Sequence, residues 1–203
     1  MRHPILAIDL GGVLLHDPTR GNFWRNIARG DEQLAAAARH RWLAELRTPF
    51  ETGHLSENEV WGALSLITRL KPEDIRSQFL GGFTEINLGI SALRSFSSTG
   101  GRTVLATNHY APWLDIWNRK FAWFRKIDYI ACSSEMGYRK PDERYFVELL
   151  EIVNAPVESV IFVDDDLTNI ESAQSLNIES LYADGSDAWV RSLGLANEDT
   201  SHG

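Results

Sequence analysis

The sequence has few of the features that would mark a secreted, disulfide-bonded or membrane protein. Cys132 is the only cysteine among 203 residues, so the sequence offers neither an intramolecular disulfide nor a paired-cysteine metal or redox site. No apolar run reaches membrane-spanning length, and there is no internal repeat or low-complexity tract. The first apolar stretch ends at Asp9 and is too short for a signal-peptide core. We therefore expect a cytoplasmic protein.

Basic residues are also in deficit. The chain has 20 Lys and Arg against 28 Asp and Glu, which gives a formal net charge of −8. Because no basic run is present, we expect neither nucleic acid nor an anionic membrane as a partner. An acidic chain would also repel an anionic substrate unless local charges opposed that field. The hydrophobic share of 43% is typical of a globular protein, and the sequence leaves open a monomer or a homodimer.

Short apolar runs alternate with helical patterns along most of the chain. The runs are typical of strands buried on both faces and cover residues 4–9, 103–107, 129–132, 160–164 and, more weakly, 180–183. Helical patterns lie between or after them, at residues 88–96, 111–118, 141–153 and 167–176. This alternation predicts an α/β fold with a Rossmann-like, doubly wound parallel sheet.

Residues 19–82 break the alternation. They contain no convincing strand, but helical patterns cover residues 23–28, 32–46 and 56–66, and a further helix is expected to start at Pro72. Ser56 and Glu59 have the spacing of a capping box. We predict a core of residues 1–18 and 83–203 with an inserted α-helical cap of residues 19–82. The alternative is that this segment is only an enlarged first crossover. In both cases it lies over the carboxyl end of the first strand, where ligands bind in such sheets.

Carboxylates end two of the predicted strands. Asp9 ends the first, and the run Asp164-Asp165-Asp166 ends the fourth. A single acid at a strand end is usually a turn residue or a helix N-cap. Parallel strands, however, bring their carboxyl ends to one edge, where several carboxylates repel each other unless a cation lies among them. Mg²⁺ is the cation that such oxygen ligands suit.

Other polar residues follow the same strand ends. Gly11 and Gly12 permit a sharp turn and offer backbone amides to an anion, while Thr107 and Asn108 offer a hydroxyl and an amide. Lys140 precedes Pro141 at the expected start of a helix, where a positive charge is unfavourable unless an anion lies beside it. The alternative for Lys140 is a solvated surface position.

Together these segments resemble the four motifs of the haloacid dehalogenase superfamily, in the correct order and over nearly the whole chain. The motifs are Asp9-Leu10-Gly11-Gly12-Val13, Leu105-Ala106-Thr107-Asn108, Gly137-Tyr138-Arg139-Lys140-Pro141-Asp142, and Phe162-Val163-Asp164-Asp165 with Asn169. The helical insert resembles the cap of that superfamily. Residues 133–141 are similar to those of its helical-cap phosphatase branch, which includes bacterial sugar-phosphate phosphatases.

The resemblance implies a Mg²⁺-dependent phosphatase that hydrolyses a small phosphorylated metabolite. Asp9 would be the nucleophile that forms an aspartyl-phosphate, and Lys140 would neutralise both Asp9 and the transferring group. The residues implied to bind phosphate are Gly12, Thr107, Asn108 and Lys140. Those implied to bind the metal are Asp9, Gly11 through its carbonyl, Asp165, and Asp164 as a direct or outer ligand.

Gly11 departs from the phosphatase pattern. The resemblance implies a second aspartate at this position, acting as general acid and base, and such help is worth roughly 10²–10⁴-fold in rate. A substrate with a good leaving group would need that acid least. His16 or Asp17 could substitute for it, but an ordinary turn before Pro18 also explains both residues. Two alternatives therefore stay open: a dehalogenase, which needs no metal, and a weakly active protein that binds a phosphorylated ligand or a partner.

Aromatic residues and two single residues complete the predictions. Trp113 and Trp117 are spaced to share a helix face, which favours packing over a self-association surface. The tryptophans of the insert favour packing over a substrate pocket; they are Trp24, Trp42 and Trp61. We expect Cys132 to be a small buried residue and the tail, 198–203, to be frayed. His109 is left between a substrate contact and a surface position.

Overall fold

The structure, a computed structural model, describes residues 4–195, so the prediction of a frayed tail lies outside the described residues. Its strands are β1 (Ile5–Ile8), β2 (Leu15–His16), β3 (Thr84–Glu85), β4 (Arg102–Thr107), β5 (Tyr129–Cys132), β6 (Val160–Asp164) and β7 (Glu179–Tyr182). Five of them form a parallel sheet in the order β5-β4-β1-β6-β7. The predicted sheet is therefore confirmed, including the weak fifth strand.

The helices alternate with these strands as predicted outside residues 19–82. They are α1 (Phe23–Ile27), α2 (Glu32–Arg41), α3 (Arg47–Glu51), α4 (Glu57–Thr68), α5 (Pro72–Gly81), α6 (Asn87–Ser98), α7 (Pro112–Lys120), α8 (Ser133–Met136), α9 (Glu143–Val153), α10 (Leu167–Ser175) and α11 (Ala188–Ser192). A wider helical turn, Trp42–Leu46, joins α2 to α3. The short helices α3, α8 and α11 were not predicted, because four or five residues do not establish a helical period.

The central strand β1 is buried on both faces because every residue from Ile5 to Ile8 is apolar and fully covered. Leu6 and Ile8 contribute to one apolar cluster, and Ile5 and Ala7 contribute to a second on the other face. This alternation of side chains across a strand is what a doubly wound sheet requires.

The register of the sheet determines which residues meet at its carboxyl edge. Ile8 is the register partner of Leu105 in β4 and of Val163 in β6, and the Asp9 amide donates to the Val163 carbonyl at 2.9 Å. The ends of β4 and β6 therefore flank the end of β1. This places the polar residues that follow the three strands along one edge.

The helical insert leaves and rejoins the core through β2 and β3. These two short strands pair antiparallel, with Leu15 opposite Glu85, so the two ends of the insert lie side by side. Its helices α1 to α5 cover residues within the predicted range 19–82 and contain no strand. The predicted capping box is present: Ser56 accepts from the Glu59 amide while Glu59 accepts from the Ser56 amide.

One predicted helix start is wrong by two residues. The helix expected from Pro141 begins at Glu143, because the side chain of Asp142 accepts from the Arg144 amide and caps it. Pro141 therefore precedes the cap instead of filling the first turn.

The buried aromatic residues pack the core and the insert, as predicted. Trp113 and Trp117 are 1% and 0% exposed, so neither forms an outer self-association surface. The tryptophans of the insert are buried as well; they are Trp24, Trp42 and Trp61. Cys132 is also buried, as expected. Among the described residues, no helix has the length and apolar character needed to cross a membrane.

Candidate active site

Three carboxylates converge at the carboxyl edge of the sheet. Asp9 follows β1, Asp164 ends β6, and Asp165 comes next. One oxygen of each lies within 4.8 Å of the others, and Asp9 and Asp164 are buried. The sequence prediction that these strand ends meet is confirmed. Asp166 instead caps α10 by accepting from the Thr168 amide, which is the ordinary role of an acid at a strand end.

Lys140 lies inside this cluster and is 1% exposed. Its Nζ donates to Asp9 Oδ1 at 2.7 Å, to Asp164 Oδ2 at 2.6 Å and to the Ala106 carbonyl at 2.7 Å. Three acceptors satisfy the three donors of the ammonium group, which is what permits its burial. The solvated-surface alternative for Lys140 is therefore wrong, and the residue lies in a loop before α9.

The charges of the cluster do not balance. Burial raises the pKa of Asp9 to about 7; Lys140 opposes the rise, and Asp164 and Asp165 add to it. Burial also opposes the charge of Lys140, but the attraction of Asp164 and Asp9 outweighs it and leaves the Lys140 pKa above its usual value. The buried Lys140 ammonium thus pairs with two of the carboxylates and Arg20 pairs with the third, so two cations face three acids. The donor set fits a divalent cation, because oxygen ligands with surplus negative charge are those Mg²⁺ takes.

Asp164 is held more firmly than the other two carboxylates. Besides Lys140, it accepts from Asn169 Nδ2 at 3.1 Å on each oxygen and from the Asp166 amide at 2.8 Å. These donors use most of the acceptor capacity of its two oxygens. Asp164 therefore orients Lys140, and it has less capacity left for a metal than Asp9 or Asp165.

Gly12 makes room for Asp165. A Cβ built on Gly12 would lie 2.0 Å from Asp165 Oδ2, and the Gly12 backbone has a φ of +91°. The predicted role of Gly12 in binding phosphate is not what the geometry shows, because its amide donates to the Leu15 carbonyl at 2.7 Å. The Gly12 amide is therefore already used by a hydrogen bond within the turn. Gly11 lines the cavity next to Asp9.

Thr107 and Asn108 differ in whether their side chains have hydrogen-bond partners within the described residues. Thr107 Oγ1 is buried and has no hydrogen-bond partner among the described residues, so its donor is unused within them. Asn108, predicted to hold phosphoryl oxygens, instead donates from Nδ2 to the Lys140 carbonyl and accepts from the Lys140 amide, both at 2.9 Å. Its amide therefore positions the Lys140 loop.

The sequence left open whether His109 contacts substrate or lies at the surface. In the structure it lines the cavity at the carboxyl edge of the sheet. Its ring packs edge-on against Phe83 and Trp117. Its Nε2 lies 3.9 Å from a Cβ built on Gly11, so the imidazole borders the space where a side chain at position 11 would project. Burial lowers the pKa of His109 to about 4, with Arg47 and Lys140 also lowering it and Asp17 opposing. The ring is therefore neutral at pH 7.

The insert contributes charged residues above the cluster. Arg20 pairs with Asp165. Glu51, at the end of α3, lies between two arginines: Arg47 Nε is 2.8 Å from its Oε1, and Arg139 Nε of the core is 2.7 Å from its Oε2. Sequence reasoning missed the roles of Arg20, Arg47 and Glu51. No local motif marks them, because only the packing of the insert brings them to this edge.

These residues enclose a cavity of about 230 Å³ in front of Asp9. Its lining is dominated by charged and polar side chains, among them Asp9, Asp17, Arg20, Arg47, Glu51, Asn108, His109, Arg139, Lys140, Asp164 and Asp165. His16 does not line this cavity, whereas Asp17 does and also accepts from the Thr19 amide at 2.8 Å. The site therefore suits a small, charged group.

Residues 4–177 match a family model described as haloacid dehalogenase-like hydrolase. Among curated proteins, the chain is similar to a sesquiterpene phosphatase from Aspergillus oryzae, with 30% identity over 179 residues that cover 86% of each chain. It is also similar to a drimenol cyclase from Aspergillus calidoustus, with 29% identity over 156 residues. That match covers 74% of this chain but only 30% of the cyclase, so the chain spans less than a third of that relative.

Solved structures share the fold. An aspartate-to-alanine variant of a HAD family enzyme from Bacteroides thetaiotaomicron, in complex with magnesium and inorganic phosphate, has a TM-score of 0.79 at 18% identity, covering 95% of this chain and 99% of that one. An L-2-haloacid dehalogenase from Xanthobacter autotrophicus with covalently bound chloropropionic acid has a TM-score of 0.66 at 13% identity, covering 96% and 85%. At these identities the likeness concerns the fold alone.

Proposed function

Since the chain belongs to the haloacid dehalogenase-like hydrolase family, we propose that this hydrolase is a Mg²⁺-dependent phosphatase that cleaves a small phosphate monoester through an aspartyl-phosphate on Asp9. The observation that carries the proposal is the buried contact between Lys140 and two carboxylates, Asp9 and Asp164, with Asp165 beside them. Lys140 and Arg20 together supply two positive charges against these three acids. A divalent cation would offset the remaining negative charge of the carboxylates and the charge of a bound phosphoryl group.

In the first step, an Asp9 oxygen attacks phosphorus and the phosphorus–oxygen bond to the leaving group breaks. Phosphoryl transfer depends mainly on positioning and charge neutralisation, so the fixed ammonium of Lys140 is suited to stabilise the transferring group. The Thr107 hydroxyl, which has no partner within the described chain, would donate to a phosphoryl oxygen. In the second step, water attacks phosphorus, the bond between phosphorus and the Asp9 oxygen breaks, and inorganic phosphate leaves as Asp9 regains its carboxylate.

The residues that would hold the metal are Asp9, Asp165 and the Gly11 carbonyl. Asp164 would act from outside the metal's ligands, because Lys140 and Asn169 already use its oxygens. Mg²⁺, when bound, supplies positive charge that stabilises the phosphoryl oxygens. Gly12 serves this arrangement by letting Asp165 approach the loop that follows β1.

The proposed cap is the helical insert, residues 19–82, on a core of residues 1–18 and 83–203. Arg20, Arg47 and Glu51 of the insert line the cavity opposite Asp9, which supports a role in selecting the substrate and in excluding water. The charged lining favours a compact polar ester. A sesquiterpenyl phosphate, suggested by the name of one relative, would require the aromatic side chains beside the cavity to separate, because Trp42, Phe50 and Trp113 border a space of only about 10 Å³.

The glycine at position 11 indicates what kind of leaving group the proposed substrate has. Because position 11 carries no side chain to donate a proton, the proposed substrate is one whose leaving oxygen is stable as an anion, such as a sugar 1-phosphate. His109 is neutral at pH 7 and would not supply that proton in its resting state.

The test is a panel of phosphate esters that includes p-nitrophenyl phosphate, a sugar 1-phosphate, a sugar 6-phosphate and a sesquiterpenyl phosphate, each with Mg²⁺ or with a chelator. We expect Mg²⁺-dependent phosphate release that is fastest for esters with acidic leaving groups. Chloride release from 2-chloropropionate in the presence of chelator would instead establish a dehalogenase. Phosphate binding without any hydrolysis would establish the weakly active alternative.

A further inference from the structure

Arg20 forms an ion pair across the boundary between insert and core. It ends the short helical turn Pro18–Arg20 at the start of the insert, and its guanidinium pairs with the carboxylate of Asp165. The second contact, from Nη2 to Asp165 Oδ1, is 3.4 Å. The Arg20 side chain is 56% exposed, while that of Asp165 is 12% exposed. An arginine of the insert is thus held by an acid of the catalytic edge.

The partner of Arg20 is the carboxylate with the least other support. Asp164 is fixed by Asn169 and Lys140, and Asp9 is fixed by Lys140. Asp165 projects against Gly12 and meets Arg20 at the front of the cluster. The guanidinium contacts both oxygens of that carboxylate, so a metal ion that binds either oxygen meets Arg20 there. The ion pair and the proposed metal site therefore compete for Asp165.

Arg20 also lies between two cavities and lines both of them. It lines the 230 Å³ cavity in front of Asp9 and an outer cleft of about 670 Å³ bounded by His16, Ile86 and Tyr182. Asp17 and Asp9 lie near enough to Arg20 to attract its charge as well. When released from Asp165, the guanidinium would remain in the wall of the inner cavity, facing the place of an anionic substrate.

We propose that Arg20 exchanges partners during the reaction: it pairs with Asp165 in the metal-free protein and with the anionic group of the substrate once Mg²⁺ takes Asp165. The inference rests on the proposed function. Metal binding would thereby be coupled to the first turn of the insert. Because exposed ion pairs contribute little to folding, the exchange would cost little stability.

The experiment measures metal and phosphate binding separately, with no turnover. Mn²⁺ is the spectroscopic probe for the metal, titrated by electron paramagnetic resonance into wild type and Arg20→Met. Arg20→Met is expected to bind Mn²⁺ about two- to fivefold more tightly, the range that corresponds to an exposed ion pair. Inorganic phosphate, titrated calorimetrically into the Mg²⁺-loaded proteins, is expected to bind about tenfold or more weakly to Arg20→Met, as for a lost charged hydrogen bond.

The matched control is Arg25→Met, which removes an exposed arginine of the same insert that pairs with Glu32, away from the cavity. It should change neither affinity. Unchanged Mn²⁺ affinity in Arg20→Met, or a loss of both affinities together, would overturn the exchange, since a purely supporting role predicts no opposite effects. Asp165→Asn separates the two proposals: if it binds Mn²⁺ as well as wild type, the metal site of the proposed function fails, whatever Arg20 does.

Discussion

The side chain of Asn108 and the backbone of Lys140 form a reciprocal pair of hydrogen bonds, each 2.9 Å long. This pair fixes the loop from which the Lys140 ammonium reaches two carboxylates. The residue after β4 therefore positions Lys140, which lies far from it along the chain.

Asn108→Ala is expected to lower turnover and to lower the free energy of unfolding by about 1–3 kcal/mol, because it leaves buried backbone groups without partners. Steady-state kinetics and urea denaturation measure the two effects. Asn22→Ala is the control, since Asn22 precedes α1 without a side-chain capping bond. An Asn108 variant with wild-type kinetics would show that this pair does not position Lys140.

Gly12→Ala and Gly11→Ala form a matched pair of substitutions. At Gly12 a Cβ would lie 2.0 Å from Asp165 Oδ2, and φ is +91°, so alanine must displace the Asp165 carboxylate. At Gly11 the nearest atoms are at 3.9 and 4.0 Å, an ordinary contact. We expect Mn²⁺ affinity to fall in Gly12→Ala and to remain close to wild type in Gly11→Ala. Equal affinities in the two variants would refute this assignment of Gly12.

Gly11→Asp tests the missing acid directly. The new carboxyl group would project toward His109 Nε2 and Asp17, in the space that the Cβ distances show to be open. We expect it to raise kcat/KM for esters with poor leaving groups relative to good ones. The measurement is the dependence of kcat/KM on leaving-group pKa in wild type and variant. Parallel dependences would mean that Gly11 does not limit the reaction.

His109 gives a pH-dependent contribution to stability. Its pKa is about 4 in the folded protein against 6.5 for a free histidine. Between these values the unfolded chain binds a proton that the folded protein does not, so stability is lost as pH falls from 6.5 toward 4. His109→Gln should therefore lose less unfolding free energy than wild type between pH 7 and pH 5, measured by urea denaturation. Identical losses would show that this histidine titrates normally.

Much of the site could be predicted because strand ends are local signals. Apolar runs ending in Asp9 and Asp164 identify parallel strands, and parallel strands place their carboxyl ends at one edge. The helical insert could also be predicted, from its helical patterns and from the Ser56 capping box. The convergence of Asp9, Asp164 and Lys140 followed from these patterns together with the resemblance of the motifs.

The rest depended on contacts that no local pattern encodes. Arg20 and Glu51 reach the site only because the insert folds over the carboxyl edge of the sheet, and neither residue belongs to a local sequence motif. The amides of Gly12 and Asn108 were assigned to phosphate, yet backbone partners in the fold already use them. His109 could not be placed because its burial depends on packing against distant aromatic rings.

The proposed function requires that Asp9 attacks phosphorus. Asp9→Asn keeps the size of the side chain and removes the nucleophilic carboxylate, while Lys140 retains Asp164 and the Ala106 carbonyl as acceptors. The measurement is the rate of inorganic phosphate release from the best ester of the panel, in Mg²⁺, with circular dichroism to check the fold. We expect Asp9→Asn to be folded and to release no detectable phosphate. Release at the wild-type rate would contradict the proposed role of Asp9.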